Sequence, residues 1–256
     1  MNNSTLTENR IMYIVGANIK QQLDTVIPNV INYEEALNLI NNYDKTHHIE
    51  FKIGQGLSKW QLSSLLLIAK NHEYGTKIFP YNYMTNPQIC NKTVHKLKLK
   101  NTMISLPKKI DEDNYKSALF IDDECAEMSD HMTGCHIQGM VLIEAARQMI
   151  NAVSDQYYVK NGINFFILNE LNAKFHQYIF PLDVELNYSV INIKHGLNGN
   201  FTAEAQVVFL QNNNIGATVF FKFQAMDSKI MGDYEKVLAK KSFSINHSKS
   251  ILGNVG

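Results

Sequence analysis

The 256-residue sequence sets 24 Lys and Arg against 24 Asp and Glu, a formal charge of zero. With no long basic run, that balance excludes the electrostatic footprint of a nucleic-acid-binding protein, so no nucleic-acid partner is expected. The apolar content of 45% suffices for one large or two small domains with a sizeable core. The longest apolar run, around Leu65–Ala69, is far too short to span a bilayer. Met1–Arg10 is polar and lacks the apolar stretch of a secretory signal. Three widely spaced cysteines, Cys90, Cys125 and Cys135, point to a reducing compartment. The expectation is a cytoplasmic protein with no membrane partner.

Residues 1–10 are read as a disordered N-terminus. From 11 to 90 the pattern alternates extended and helical runs: Ile11–Val15, Asn18–Thr25, Glu34–Asn42, Ile49–Ile53, Ser58–Asn71 and Thr76–Tyr81. That alternation predicts a small α/β domain, whose role the sequence does not reveal. Ser58 and Gln61 have the spacing of a capping box at a helix start. Just before it, Gly54-Gln-Gly56 fits a tight strand-to-helix turn, or an anion site made of backbone N–H groups. Asn86-Pro87 is a natural break before the second half.

The second half reads as strand-rich around one helix. Lys96–Ile104 and Ala118–Ile121 are predicted strands, and a helix is predicted over Gln138–Tyr158. Four extended runs follow, Phe165–Phe175, Asp183–Ile193, Phe201–Gln211 and Gly216–Ala225, with a hairpin turn at Asn212-Asn213-Asn214. One central helix followed by an antiparallel meander implies a sheet wrapped around that helix. Residues 227–256 are read as a C-terminal helix or tail, with a mildly basic, solvated end over Lys240–Lys249.

Chemistry concentrates in Asp130–Gln148. After Gly139 the helical spacing sets Glu144, Arg147 and Gln148 at i, i+3 and i+4 on neighbouring turns. An otherwise apolar helix must satisfy such groups with each other, with a partner chain or with a ligand. Burial would raise the Glu144 pKa, whereas Arg147 and the helix N-terminus would lower it. If ionised, Glu144 can act as a base, and Arg147 can hold a phosphate or orient Glu144. N–H groups near Gly139 and Met140 are natural oxyanion donors. The blander readings are a structural Glu144–Arg147 ion pair at a dimer interface, and a Gln148 that bonds backbone rather than substrate. His131, His136, Cys135 and Asp130 lack zinc-site spacing, so no metal and no cofactor are expected. The aromatics Tyr157, Tyr158, Phe165, Phe166, Phe175 and Phe180 are most simply core and interface.

The segment Gly134–Gln148 resembles the A-factor biosynthesis (AfsA-type) hotdog family. The matching features are Asp130-His131, His136, Gly139-Met140, the Glu144-Ala-Ala-Arg147-Gln148 run and, upstream, Val94-His95-Lys96. The likeness covers residues 93–226. Gln138 stands where many members have proline, and Cys135 where an acidic residue is common. A more distant likeness is to hotdog acyl-thioester dehydratases, with His131 thirteen residues before Glu144 and Gly139 five before it.

The resemblance implies an α+β architecture, a hotdog preceded by the small α/β domain. It also implies transfer of a β-ketoacyl group from an acyl carrier protein thioester to dihydroxyacetone phosphate, towards a butenolide and a γ-butyrolactone-type signal. On that reading Glu144, Arg147, His131 and His136 are catalytic. Gly139, Met140 and Gln148 bind substrate. The partners are an acyl thioester, of carrier protein or coenzyme A, and a second copy of the chain, since hotdog domains commonly pair. An apolar channel lined by Met140, Met149 and Ile150 would take the acyl tail. The alternatives are a hotdog dehydratase or thioesterase, or a non-catalytic module that binds acyl groups or carrier protein.

Overall fold

The computed structural model describes residues 10–42, 49–71, 78–79, 89–90, 92–129, 134–159 and 164–252. In chain order the first part gives β1 (Arg10–Ile14), α1 (Ala17–Leu23), β2 (Val30–Ile31), α2 (Tyr33–Asn41), β3 (Ile49–Ile53), α3 (Lys59–Asn71) and β4 (Ile78–Phe79). Its four strands are all parallel, in the order β2-β1-β3-β4. This is the α/β layering that alternating periods predict, with Val30–Ile31 as an unforeseen short strand. The Ser58–Gln61 capping box forms in both directions, at 3.0 and 3.2 Å. The Asn86-Pro87 break lies outside the described residues.

The second part gives β5 (Lys108–Lys109), β6 (Asn114–Ala118), α4 (Ala126–Ser129), α5 (Gly139–Val153), β7 (Asn164–Phe175), β8 (Glu185–His195), β9 (Phe201–Gln211), β10 (Asn214–Asp227) and α6 (Ser228–Leu252). Six antiparallel strands in the order β5-β6-β8-β9-β10-β7 enclose α5. This is the hotdog arrangement, and the chain is α+β. Along β9 the alternate residues Phe201, Ala203, Ala205, Val207 and Phe209 are all buried, as a strand with one face on a core requires. They meet Val141, Ala145, Met149 and Ala152 of α5 in one continuous core. Positive φ at Asn212 and Asn213 (51° and 63°) closes the β9–β10 hairpin.

Three expectations need correction. Lys96–Ile104 is not a strand: the chain turns through a single 3-10 turn at Leu99–Asn101, and only Ile104 makes an isolated bridge, to Leu119. The strand expected at Ala118–Ile121 sits earlier, at Asn114–Ala118. The helix predicted to Tyr158 is α-helical only to Val153 and ends in a π-helical turn, Ser154–Tyr158. There Tyr157 donates to Pro107 O and the Tyr158 and Tyr115 hydroxyls share a hydrogen bond.

The two sheets are joined by the Gly54–Gly56 turn. Its backbone N–H groups do not await an anion. Gln55 N donates to Pro181 O and Gly56 N to Ile121 O. The buried Gln55 side chain donates to Leu119 O and Leu182 O and accepts from Ile121 N at 2.8 Å. Gly56 has φ +95°, and a Cβ there would lie 2.7 Å from Gly16 N, so only glycine fits both the conformation and the space. At the start of α1, Asp123 accepts from Asn18 N at 2.7 Å. The chain's own carboxylate thus takes the place of a bound anion. Replacing Gln55 by leucine leaves three backbone groups without their partner. We expect a stability loss on the order of 3 kcal/mol in urea unfolding; a loss below about 1 kcal/mol would show that the junction does not depend on this side chain.

Candidate active site

Helix α5 buries so much of itself that its polar residues must find partners on one side. That side faces Val94–Met103, the segment that is not a strand. Gln148 is fully buried; its Oε1 accepts from Met103 N at 2.8 Å, and its Nε2 donates to Asn101 O at 2.9 Å and to Glu144 Oε1 at 3.0 Å. Arg147 grips Glu144 with two parallel bonds, Nε to Oε2 at 2.7 Å and Nη2 to Oε1 at 2.8 Å, and also donates to Val94 O. Lys96 Nζ lies 2.9 Å from Glu144 Oε1 and pairs with Glu127 as well. Glu144 therefore takes four donor contacts from three side chains, at 17% side-chain exposure.

The electrostatics follow from that geometry. Burial works to raise the Glu144 carboxyl, but Arg147, Lys96 and the Gln148 amide together outweigh it and hold the pKa at about 2. Burial works to lower Lys96, yet the Glu127 and Glu144 carboxylates raise it above its usual value. Beside them His95 is exposed, with its ring 5.4 Å from that of Phe166. Partial desolvation and then the Arg147 charge push its imidazole below its ordinary value.

The N-terminal end of α5 is a second focus. The N-cap carbonyl, Gln138 O, accepts from Leu142 N at 3.3 Å, so the N–H groups of Gly139–Val141 lie ahead of the helix's own hydrogen-bond ladder. Gln138 is the N-cap residue and makes no side-chain cap. Its amide nitrogen and oxygen are both buried without a hydrogen-bond partner. A Cβ on Gly139 would lie 2.8 Å from the Phe175 ring, so the close approach of β7 to this end needs glycine. Met140 points outward at 62% exposure, whereas Met149 and Ile150 are core.

Of the residues singled out in the sequence, the structure brings Glu144, Arg147 and Gln148 into one cluster and puts Gly139 and Met140 at the helix start. His136 is elsewhere, its ring 4.6 Å from that of Tyr178. Asp130 and His131 lie outside the described residues. Sequence reasoning missed Lys96, His95 and Glu127 as members of the Glu144 cluster. The Val94-His95-Lys96 motif was the available signal for two of them. Tyr157 and Tyr158 stack about Tyr115, at 4.7 and 6.3 Å. Phe175 and Phe180 are 53% and 44% exposed, so they are not core. Among the described residues, no three His, Cys, Asp or Glu are grouped to hold a metal ion, and no helix is long and apolar enough to cross a membrane.

The sequence profile of the A-factor biosynthesis hotdog domain matches residues 84–227, more than half of the chain. The chain belongs to the A-factor biosynthesis hotdog family. No curated protein matches it. Similar solved structures include a putative thioesterase from Shewanella oneidensis, 7% identical, covering 54% of this chain and 96% of that one at a TM-score of 0.39. A thioesterase from Haemophilus influenzae is 14% identical, covering 48% and 78% at 0.37. A mutant thioesterase from Pseudomonas aeruginosa is 13% identical, covering 48% and 81% at 0.36.

In this A-factor-type hotdog domain the Glu144 cluster has an acid signature. A carboxyl depressed from 4.5 to about 2 contributes stability that is complete above its unfolded value and lost as pH falls through the folded one. The contribution is at most about 3 kcal/mol. Unfolding free energies of the protein and of Glu144→Gln, compared from about pH 6 to about pH 2.5, are expected to converge as the wild type loses this term. Parallel pH dependences would contradict the depressed carboxyl.

Proposed function

We propose that the protein is an acyl-thioester-using enzyme that transfers a β-ketoacyl group to a phosphorylated hydroxyl acceptor. The observation that carries this reading is the Lys96–Glu144–Arg147 cluster on the central helix of an A-factor-type hotdog domain. The donor is a carrier-protein or coenzyme A thioester, and the acceptor is dihydroxyacetone phosphate. The acceptor oxygen attacks the thioester carbon, the C–S bond breaks, and the hydroxyl proton passes through the base to the departing thiolate. The carbon between the two carbonyls of the new ester then adds to the ketone, and loss of water gives a butenolide.

In the free protein Glu144 is a weak base, because Arg147 and Lys96 hold it ionised. The phosphate of the acceptor competes for the same two cations. Drawing them away raises the proton affinity of Glu144, so that base action depends on acceptor binding. His95 is a second proton acceptor beside Arg147, and His131 would assist proton transfer. Gln148 positions Glu144 and the Asn101–Met103 backbone. The N–H groups of Gly139 and Met140, with the unpartnered Gln138 amide, would meet the thioester oxygen as it gains charge. The domain is expected to work as a homodimer through β7, a twelve-residue edge strand whose Leu168 and Leu171 are exposed.

The full satisfaction of Glu144 favours one other reading, a non-catalytic acyl or carrier-protein-binding module in which the cluster is structural. One experiment separates them. Purified protein is incubated with a β-ketoacyl thioester, with and without dihydroxyacetone phosphate, and thiol release and product mass are followed. Acceptor-dependent release with a new phosphorylated ester is expected, and Glu144→Gln should lower it by about 100-fold or more without changing the sedimentation coefficient. Release without acceptor would mean a thioesterase. Intact thioester in both tubes would leave the binding module.

A further inference from the structure

A cavity of about 450 Å³ lies between the parallel sheet and the loops that lead into α5 and β8, and it shares no residue with the Glu144 cluster. Its volume is within the range of small-molecule sites. Val15, Leu23, Val30 and Pro181 form its buried part. Val26 and Phe180, 60% and 44% exposed, stand at its open side. Among the described residues, no Asp, Glu, Lys, Arg or His lines it. Isolated exposed valines are ordinary, but here exposed and buried aliphatics line one concave wall. Such a wall gives a charged group nothing to bind and rewards burial of a flexible hydrocarbon.

We propose that this cavity is a binding site for the aliphatic chain of a medium-length carboxylic acid or of its thioester. The branched side chains of Val15, Leu23, Ile27 and Val30, which outnumber the two rings of Tyr13 and Phe180, suit a flexible saturated chain, and the open side leaves the polar head in water. The hotdog contribution comes from Phe180–Leu182 and from Cys135, which is half-buried and four residues before Gly139. Occupancy would thus be felt at the loop that leads into α5. The proposal does not rest on the acyl-transfer reading, and its test involves no turnover.

The three cysteines supply the readout. Cys135 lines the cavity, Cys90 is exposed, and Cys125 is buried, with a thiol that burial pushes up to about 12. The protein is alkylated with iodoacetamide in the presence of octanoate or of octanoyl-coenzyme A, and each cysteine is followed by peptide mass spectrometry. Ligand at about ten times its dissociation constant should slow Cys135 alkylation about tenfold and leave Cys90 unchanged. Protection at lower concentration by the thioester would name it as the source, and by octanoate, the free acid. Each methylene added from butyrate to octanoate should tighten binding about fourfold, equivalent to ~0.8 kcal/mol. Val26→Asp, at a position 60% exposed, should weaken protection at least about tenfold. Equilibrium dialysis of radiolabelled octanoate against both proteins reads the same site without the thiol. No binding at millimolar ligand, or equal binding by Val26→Asp, would overturn the proposal.

Discussion

A helix enclosed by a curled sheet has little solvent to turn to, and that constraint on α5 organises the rest of the hotdog half. The charged and amide groups of Glu144 and Gln148 that α5 carries inward are satisfied by protein, because an unpaired buried charge or amide costs several times what a hydrogen bond gains. Asn151 Nδ2 is the α5 side-chain group left buried without a partner among the described residues. Gln148 meets the constraint by taking over backbone groups of Asn101 and Met103. Glu144 meets it by binding Arg147 from its own helix and Lys96 from the facing segment. One consequence is a carboxylate with its negative charge fully subscribed. The other is a pair of cations held close together at a partly open surface, which is the arrangement an incoming phosphate can exploit.

The junction between the sheets obeys a similar rule. An open parallel sheet leaves a crevice at the C-terminal ends of its strands, where α/β proteins commonly take ligands. Here β1 and β3 end at Gly16 and Gly54–Gly56, and loops of the hotdog fill that place. Ile121 O, Pro181 O and the Asp123 carboxylate occupy donors that a ligand anion would otherwise bind. Ala118 and Phe120 join the core of the parallel sheet. Unfilled space remains beside this contact rather than in it, along the aliphatic side of β1 and α1.

Much of the hotdog was legible because its signals are periodic and long. The apolar stripe of α5 and the eleven-residue alternation of β9 leave few alternatives. Lys96–Ile104 was misread for a physical reason: its alternating residues suit a strand, but the Asn101 and Met103 backbone groups bond to the Gln148 side chain instead of to a neighbouring chain. Leu97 is consequently 99% exposed. The strand Asn114–Ala118 was placed too late because it is polar on its outward face, and the apolar run after it draws attention first. At the site, the i, i+3, i+4 spacing gave the intrahelical half of the cluster. Lys96 and Glu127 come from distant segments, and no local spacing joins them to Glu144.

The account turns on the state of the Glu144 carboxylate, and that state can be read directly by carbon NMR titration of the side chain. With the protein alone, Glu144 should titrate at about 2; with saturating dihydroxyacetone phosphate, the proposed acceptor, it should move up towards or beyond the ordinary 4.5 as Arg147 and Lys96 turn to the phosphate. A Glu144 that titrates near 4.5 in the free protein, or that ignores the acceptor, would contradict it.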